Sequence, residues 1–266
     1  MSSVRLAFRD PGLPLMVIAG ALALAVLAVA PATAKTADEW LAEGGNHYAA
    51  AQLPEARAAF LAALQESPGH YVALCRLSRT ESELGELQKG DVQRATRAAA
   101  VEHARAAVKA APDSAGGHVW LAVALGRQAL SEGAKTKLAL SREIKSEVDR
   151  ALQLDANIGR AWHVLAVWNV KLSSLNALER MAANVVLGGV PKGASFEQAE
   201  KAFQKAIVLE PDYVNHRLEY GRLLRDRGRK PEARQELEKA VSLPPTSGAL
   251  DARYQAEAKE LLARTR

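Results

Sequence analysis

The chain has 266 residues, of which 48% are hydrophobic, 24% are charged and only 5% are aromatic. Ala and Leu supply most of the apolar content and favour helices, so we predict an all-α fold and exclude a β-rich or disordered chain. The net charge of +5 is spread along the sequence rather than gathered into a basic stripe, so nucleic acid is not a predicted partner.

Residues 1–34 have the pattern of a secretory leader. Arg5 and Arg9 precede an apolar run over residues 13–30, and a small-x-small cleavage motif follows at Ala32 and Ala34. We therefore predict cleavage after Ala34 and an exported domain over residues 35–266, located in the periplasm or secreted. The alternative is an uncleaved membrane anchor that carries an exported domain, because the 18 residues of the run lie at the short end of what spans a bilayer.

Beyond residue 34, the spacing of tetratricopeptide repeats recurs along the chain. That pattern is a helical hairpin of 34 residues, with small residues at positions 8, 20 and 27 and Pro at position 32. If Trp40 occupies position 4, five copies place position 32 at residues 68, 112, 156, 211 and 245, at intervals of 44, 44, 55 and 34 residues. The residues at positions 20 and 27 are, copy by copy, Ala56 and Ala63, Ala100 and Ala107, Ile144 and Ala151, Ala199 and Ala206, and Ala233 and Ala240.

The extra residues of the three long copies fall between positions 11 and 20, where the two helices of a hairpin join. We therefore predict about five stacked hairpins in a tetratricopeptide α-solenoid, with longer helices in the second and third hairpins. The fourth carries a long tip or a small additional helix between residues 172 and 195, which we expect to fold against the solenoid and narrow its groove. Residues 251–266 are predicted to form a helix that caps the last exposed face.

Several motifs follow one another in a fixed order between residues 117 and 245. They are Gly117-His118-Val119-Trp120, Ala161-Trp162-His163-Val164-Leu165, Gly188-Gly189-Val190-Pro191 and Ala194-Ser195-Phe196-Glu197-Gln198-Ala199. This order resembles the tetratricopeptide domain of the regulator of microtubule dynamics family. The resemblance implies a non-enzymatic helical-repeat domain that binds proteins and, in a family member that tethers mitochondria to endoplasmic reticulum, also phospholipid.

The first helix of each tetratricopeptide hairpin lines the concave face, through positions 2, 5, 9, 12 and 13 of the repeat. These positions predict an apolar floor with a basic rim, which suits an extended acidic peptide or an anionic phospholipid. The alternative interpretation is that the valines are ordinary core and the basic residues are solvated. The predicted groove residues are Val119, Val123, Val167, Val170 and Leu218 in the floor, Arg79, Arg127, Arg160, Lys171, Arg222 and Arg225 in the rim, and His163 beside Trp162.

The sequence contains no recognisable catalytic or metal-binding pattern. The single cysteine, Cys75, excludes an intramolecular disulfide, and the six histidines lack metalloprotease spacing. Gly133-Ala134-Lys135-Thr136 lacks the glycine directly before lysine that a phosphate-binding loop needs. We therefore predict a scaffold or adaptor, without catalytic activity, cofactor or metal, that binds a protein or peptide in its groove. The alternative is binding or transfer of an anionic phospholipid.

Overall fold

The structure, a computed structural model, describes residues 35–186, 189–245 and 248–265, which form helices and no strand. The chain divides into two units, residues 1–34 and 35–266, and the predicted leader with its cleavage site lies outside the described residues. No helix of the described part is long and apolar enough to cross a membrane. In chain order the helices are α1 (Ala37–Ala49), α2 (Leu53–Glu66), α3 (Tyr71–Leu87), α4 (Gly90–Ala110), α5 (Ala115–Ala129), α6 (Ala134–Leu154), α7 (Gly159–Ser173), α8 (Ala177–Val186), α9 (Phe196–Leu209), α10 (Val214–Asp226), α11 (Lys230–Ser242) and α12 (Asp251–Ala263).

Ten of these helices pair into five hairpins. Helix α1 packs on α2, α3 on α4, α5 on α6, α7 on α9, and α10 on α11. The first helices of neighbouring hairpins also touch, because α3 contacts α5, α5 contacts α7 and α7 contacts α10. This stacking confirms the predicted tetratricopeptide solenoid, in which the first helices α1, α3, α5, α7 and α10 form the concave side.

Small residues at positions 8, 20 and 27 set how closely the helices approach one another. A Cβ atom built on Gly44 would lie 2.4 Å from Cε1 of Phe60, and one built on Gly221 would lie 2.8 Å from Cγ of Leu237. Phe60 and Leu237 are themselves buried, so neither glycine position has room for a larger residue. The alanines at positions 20 and 27 are fully buried, namely Ala56, Ala63, Ala100, Ala107, Ala151, Ala199, Ala206, Ala233 and Ala240.

The second and third hairpins are longer than the first, as their repeat intervals predict. Helices α3 and α4 have 17 and 21 residues and α5 and α6 have 15 and 21, against 13 and 14 in α1 and α2. A buried arginine, Arg97, joins the two long tips. Its Nη1 donates to Oγ of Ser131 at 2.6 Å, and its Nη2 donates to Oε1 of Glu86 at 2.9 Å.

The fourth hairpin contains the predicted small additional helix, α8, in the connection between α7 and α9. After α8, Val190 and Ala194 pack against the core between α5, α6 and α7, and Nη2 of Arg142 on α6 donates to the carbonyl oxygen of Gly189 at 2.7 Å. The tip therefore folds against the solenoid, but these contacts join it to α6 and α7 rather than to the predicted groove residues. The described segment that crosses the concave face is α12.

Helix α12 forms the predicted C-terminal cap. Its buried side chains Tyr254 and Ala258, with Leu250 directly before the helix, pack in one cluster with Leu218 of α10 and Leu237 of α11. Burying apolar area in this way closes the face that the last hairpin of a solenoid leaves exposed.

Candidate binding site on the concave face

Aromatic rings and guanidinium groups alternate along the concave side. The guanidinium carbon of Arg79 lies 4.3 Å from the ring centroid of Tyr48 and 5.4 Å from that of Trp120. The guanidinium carbon of Arg160 lies 5.9 Å from the Trp120 centroid and 3.5 Å from the Tyr213 centroid. These distances are within the range of cation–π attraction. The five side chains, which we call the aromatic–arginine ladder, come from α1, α3, α5, α7 and the residue that precedes α10.

An open pocket of about 300 Å³ lies at the centre of this ladder. Trp120 forms its aromatic wall, and the guanidinium groups of Arg79 and Arg160 stand on either side. Three of its lining residues, Arg79, Val119 and Arg160, belong to the predicted groove set. The lining consists of Arg79, Gly116, Val119, Trp120, Ile158, Arg160 and Glu210.

Carboxylates of the same chain accompany the arginines of the pocket. Nε of Arg79 lies 3.4 Å from Oε1 of Glu83. Nε of Arg160 donates to Oε2 of Glu210 at 2.8 Å, and the backbone N–H of Arg160 donates to Oε1 of the same residue at 3.0 Å. Both guanidinium groups of the pocket are therefore paired with carboxylates, of which Glu210 lines the pocket itself, where the sequence alone predicts positive charge.

The ionisation of Glu210 follows from this pairing. Burial alone raises the pKa of its carboxyl group, but the imidazole of His216, whose Nε2 lies 3.5 Å from Oε2, and the charge of Arg160 outweigh burial and lower the pKa to about 2. Burial lowers the pKa of Arg160, while the ionised Glu210 and the Tyr213 phenol more than offset this, so the pKa is raised. Both groups are charged at neutral pH, and an anionic ligand would share Arg160 with Glu210.

Helix α12 covers the other half of the concave face, towards the tips of the hairpins. Nη2 of Arg127 donates to the hydroxyl of Tyr254 at 3.0 Å, and Nη1 of Arg127 lies 2.8 Å from Oε1 of Glu86. Arg222 lies 3.5 Å from Oε2 of Glu257 on α12. Thus Arg127 and Arg222, two residues of the predicted basic rim, bind α12 of their own chain, and Leu218 of the predicted floor is fully buried against it.

The remaining predicted groove residues are scattered. Val123 packs beside Val119, whereas Val167 and Val170 pack against the core between α7, α9 and α10. Lys171 is exposed, and Arg225 pairs with the adjacent Asp226 at 2.7 Å. For these valines the structure therefore favours the alternative interpretation, in which they are core residues.

His163 lies where the fourth and fifth hairpins meet rather than on the wall of the pocket. Its Nδ1 is 3.0 Å from Nδ1 of His216, and its ring contacts Phe203 and Tyr213 edge-on at centroid distances of 5.6 and 6.4 Å. Burial, followed by the charge of the neighbouring His216, lowers the pKa of His163 well below its ordinary value. The ring is therefore neutral at pH 7 and packs as a structural side chain.

Trp120, Ile158 and Glu210 line the pocket but are absent from the predicted set. Trp120 adjoins Val119, so it stands one position away from a residue that the repeat register assigns to the groove. Ile158 and Glu210 belong to the connections that precede α7 and α10, and positions on the first helix alone do not identify them.

The comparisons with known proteins agree with this fold. The model of the family "Regulator of microtubule dynamics protein 1-3" matches residues 34–266. Regulator of microtubule dynamics protein 3 of Rattus norvegicus is 30% identical over 190 residues, which cover 71% of this chain and 40% of the rat protein. Regulator of microtubule dynamics protein 1 of Caenorhabditis elegans is 28% identical over 189 residues, 71% of this chain and 83% of that protein. The chain thus spans about two fifths of the rat relative.

Solved structures show the same architecture. A thermophilic tetratricopeptide protein of Thermus thermophilus, TTC0263, superposes with a TM-score of 0.61 at 22% identity, over 83% of this chain and 98% of that one. At this level of identity the likeness concerns the fold alone.

The relatives correct the predicted location. The sequence pattern of residues 1–34 predicts a periplasmic or secreted protein, or an anchored protein with an exported domain. This prediction is wrong, because the curated relatives are eukaryotic regulators of microtubule dynamics and not periplasmic exported proteins. With a family model that matches all but the first 33 residues, the chain belongs to the regulator of microtubule dynamics family.

Proposed function

We propose that this protein is a non-catalytic adaptor that binds a segment of another protein on its concave face. An acidic side chain or a terminal carboxylate of the partner would enter the pocket beside Trp120 and contact Arg79 and Arg160. The observation that carries the proposal is the aromatic–arginine ladder around an open pocket on a tetratricopeptide solenoid. Arginine offers two parallel donors to a carboxylate, and the indole offers an apolar face to the adjoining side chain.

The pairing of Arg79 and Arg160 with carboxylates bears on affinity and specificity. An incoming carboxylate has to share guanidinium donors with Glu83 and Glu210, so the net electrostatic gain is small. Recognition would then depend on fit against Trp120, Val119 and Ile158 as much as on charge. We therefore propose a short peptide that joins an acidic group to a neighbouring apolar side chain, rather than a uniformly acidic tract.

The test is a peptide array that varies acidic and apolar positions, followed by titration of the best binder. Replacing Arg79 by Gln should weaken binding about tenfold, the effect of losing one charge-assisted hydrogen bond. The matched control is Arg105→Gln, since Arg105 lies on α4 and pairs with Glu143 away from the pocket. Equal affinity for both variants would contradict the proposal. Cosedimentation with microtubules tests whether the partner is the polymer for which the relatives are named.

A second candidate ligand is an anionic phospholipid. The apolar Val119 and Ile158 stand beside Arg79 and Arg160, so the pocket could hold a phosphate with the start of an acyl chain. Mass spectrometry of an organic extract of the purified protein distinguishes the two candidates. A stoichiometric phospholipid would support lipid carriage, and an extract without lipid would favour the peptide.

A further inference from the structure

Helix α12 makes two kinds of contact that differ in chemistry. On one side, Leu250, Tyr254 and Ala258 are buried against α10 and α11. On the other side, α12 reaches across the concave face to α3 and α5 through polar groups. The first contact is the cap of the last hairpin. The second has no counterpart in a simple cap, because it joins helices of the second and third hairpins to the end of the chain.

Polar bonds join α12 to α3 and α5 across the groove. Nη2 of Arg127 donates to the hydroxyl of Tyr254 at 3.0 Å, and Nη1 of Arg253 donates to the carbonyl oxygen of Glu86 at 2.5 Å. Arg253 is exposed, so water competes for its donors. The Arg127–Tyr254 bond is partly buried and the Arg253–Glu86 bond is exposed. Two such polar bonds break more readily than an apolar cluster with several fully buried members. The polar bonds of α12 to α3 and α5 can therefore break while its apolar packing against α10 and α11 persists.

The pocket that α12 leaves open is small. Its volume of about 300 Å³ lies at the lower end of the range of pockets that hold a drug-sized ligand, roughly 300–1,000 Å³. It accommodates one or two side chains or a lipid headgroup. A longer peptide, or a lipid with its acyl chains, needs the half of the concave face that α12 covers.

A buried polar atom lies near the start of α10, one of the two helices that α12 caps. Asn215 occupies the groove-facing position 2 of the fifth repeat and is 9% exposed. Its Oδ1 has no hydrogen-bond partner among the residues that the structure describes. Burying an amide oxygen without a partner is unfavourable, so a water or a ligand donor that reached Asn215 would bind there favourably.

We propose that α12 is a latch on the binding groove, hinged on α10 and α11 and closed by Tyr254 on Arg127 and by Arg253 on Glu86. With the latch closed the protein binds only ligands that fit the pocket beside Trp120. Opening the latch uncovers the rest of the concave face and admits longer ligands. This inference rests on the proposed function for the location of the ligand, but the mobility of the latch can be measured without any ligand.

The first experiment is hydrogen exchange on the free protein, read by mass spectrometry. The latch variant carries Arg253→Gln and Tyr254→Phe, which remove the cross-groove bonds and keep the apolar ring in the cap. Peptides from α12 should exchange about tenfold faster than in the wild type, with α10 and α11 unchanged. The matched control is Arg264→Gln, because Arg264 is exposed and pairs with Glu260 within the C-terminal segment. Unchanged exchange in α12, or faster exchange in α10 and α11 as well, would overturn the latch.

The second experiment compares two anionic fluorescent probes of different length. Anilinonaphthalene sulfonate is short, and dansyl-undecanoic acid carries a long acyl chain. The latch variant should bind the long probe about fivefold or more tightly than the wild type and the Arg264→Gln control do, and the short probe equally. Faster exchange in α12 with no gain for the long probe would refute gating of the groove. If neither probe binds any of the proteins while α12 exchanges faster, the proposed groove chemistry fails and the mobile latch stands.

Discussion

Two histidine rings face each other where the fourth and fifth hairpins meet. Nδ1 of His163 and Nδ1 of His216 are 3.0 Å apart, so one ring donates a hydrogen and the other accepts it. Protonating both rings would break this bond and place two charges side by side. Burial is the largest cause of the lowered pKa values of both rings, and for His163 the charges of His216, Arg160 and Arg127 act in the same direction.

This pair predicts that acid destabilises the fold. The folded pKa values lie below the ordinary value of 6.5, so the unfolded chain binds protons that the folded chain does not. The stabilisation is complete above pH 6.5 and is lost as the pH falls. Between pH 7 and pH 5, a ring that stays neutral in the folded state lowers the free energy of unfolding by at most about 2 kcal/mol, and we expect the larger share of the loss from His163.

Urea unfolding at both pH values measures this change. The variant His163→Leu should lose less stability on acidification than the wild type does, because it removes one of the two rings. If the wild type and the variant lost the same free energy of unfolding between the two pH values, His163 would not be a source of the acid sensitivity.

At the scale of single elements, the tips of the second and third hairpins depend on Arg97. Its side chain is buried, donates to Glu86 and Ser131, and shares Glu86 with Arg127. Burial raises the pKa of Glu86, but the charges and hydrogen bonds of Arg127 and Arg97 outweigh it and lower the pKa. The carboxylate therefore stays ionised and depends on both arginines.

Removing Arg97 should destabilise the protein strongly. We expect Arg97→Ala to lower the free energy of unfolding by about 3 kcal/mol, since it breaks a buried ion pair. The matched change Arg94→Ala, on the same helix but exposed and paired with the exposed Asp91, should cost at most about 1 kcal/mol. Urea titrations of the three proteins at pH 7 measure both values. Similar losses for the two variants would show that the tips are not joined through Arg97.

The ends of the helices were predictable because local chemistry decides them. Helices α2, α4 and α9 each end two residues before a proline, at Pro68, Pro112 and Pro211. Proline cannot donate the helical hydrogen bond and disfavours helical geometry at the preceding residue. The greater lengths of the second and third hairpins and the presence of α8 followed from the intervals between the repeats.

The contents of the pocket were only partly predictable. The register of the repeats assigns Arg79, Val119 and Arg160 to the concave side, and all three line the pocket. Which aromatic ring stacks on which arginine depends on the angle and offset between stacked hairpins, and spacing along one hairpin carries no information about them. The same holds for the carboxylate of Glu210, which comes from a connection rather than from a helix.

At the scale of the whole domain, the repeat pattern could not predict that α12 crosses the concave face. Its cap on the last hairpin follows from the rule that terminal repeats need a polar outer cover. Its contact with Arg127 joins residues 127 positions apart. This contact forms only if the curvature of the solenoid brings α12 close to α5. That curvature is the sum of small rotations at each interface between hairpins.

The two ends of the solenoid should therefore differ in local stability. The last hairpin, α10 and α11, packs against α9 on one side and against α12 on the other. In the described residues, the first hairpin packs extensively only against α3. In a stacked repeat protein each interface adds stability to the hairpins that share it, so a hairpin with one neighbour opens first.

Hydrogen exchange of the wild-type protein tests this asymmetry. Amides of α1 and α2 should exchange about tenfold or more faster than those of α10 and α11, and the central α5 and α6 should be slowest. The variant Tyr254→Ala, which removes the ring that α12 buries against Leu218 and Leu237, should bring α10 and α11 towards the rates of α1 and α2. Protection of the last hairpin that persists in this variant would mean that the ring of Tyr254 contributes nothing to it.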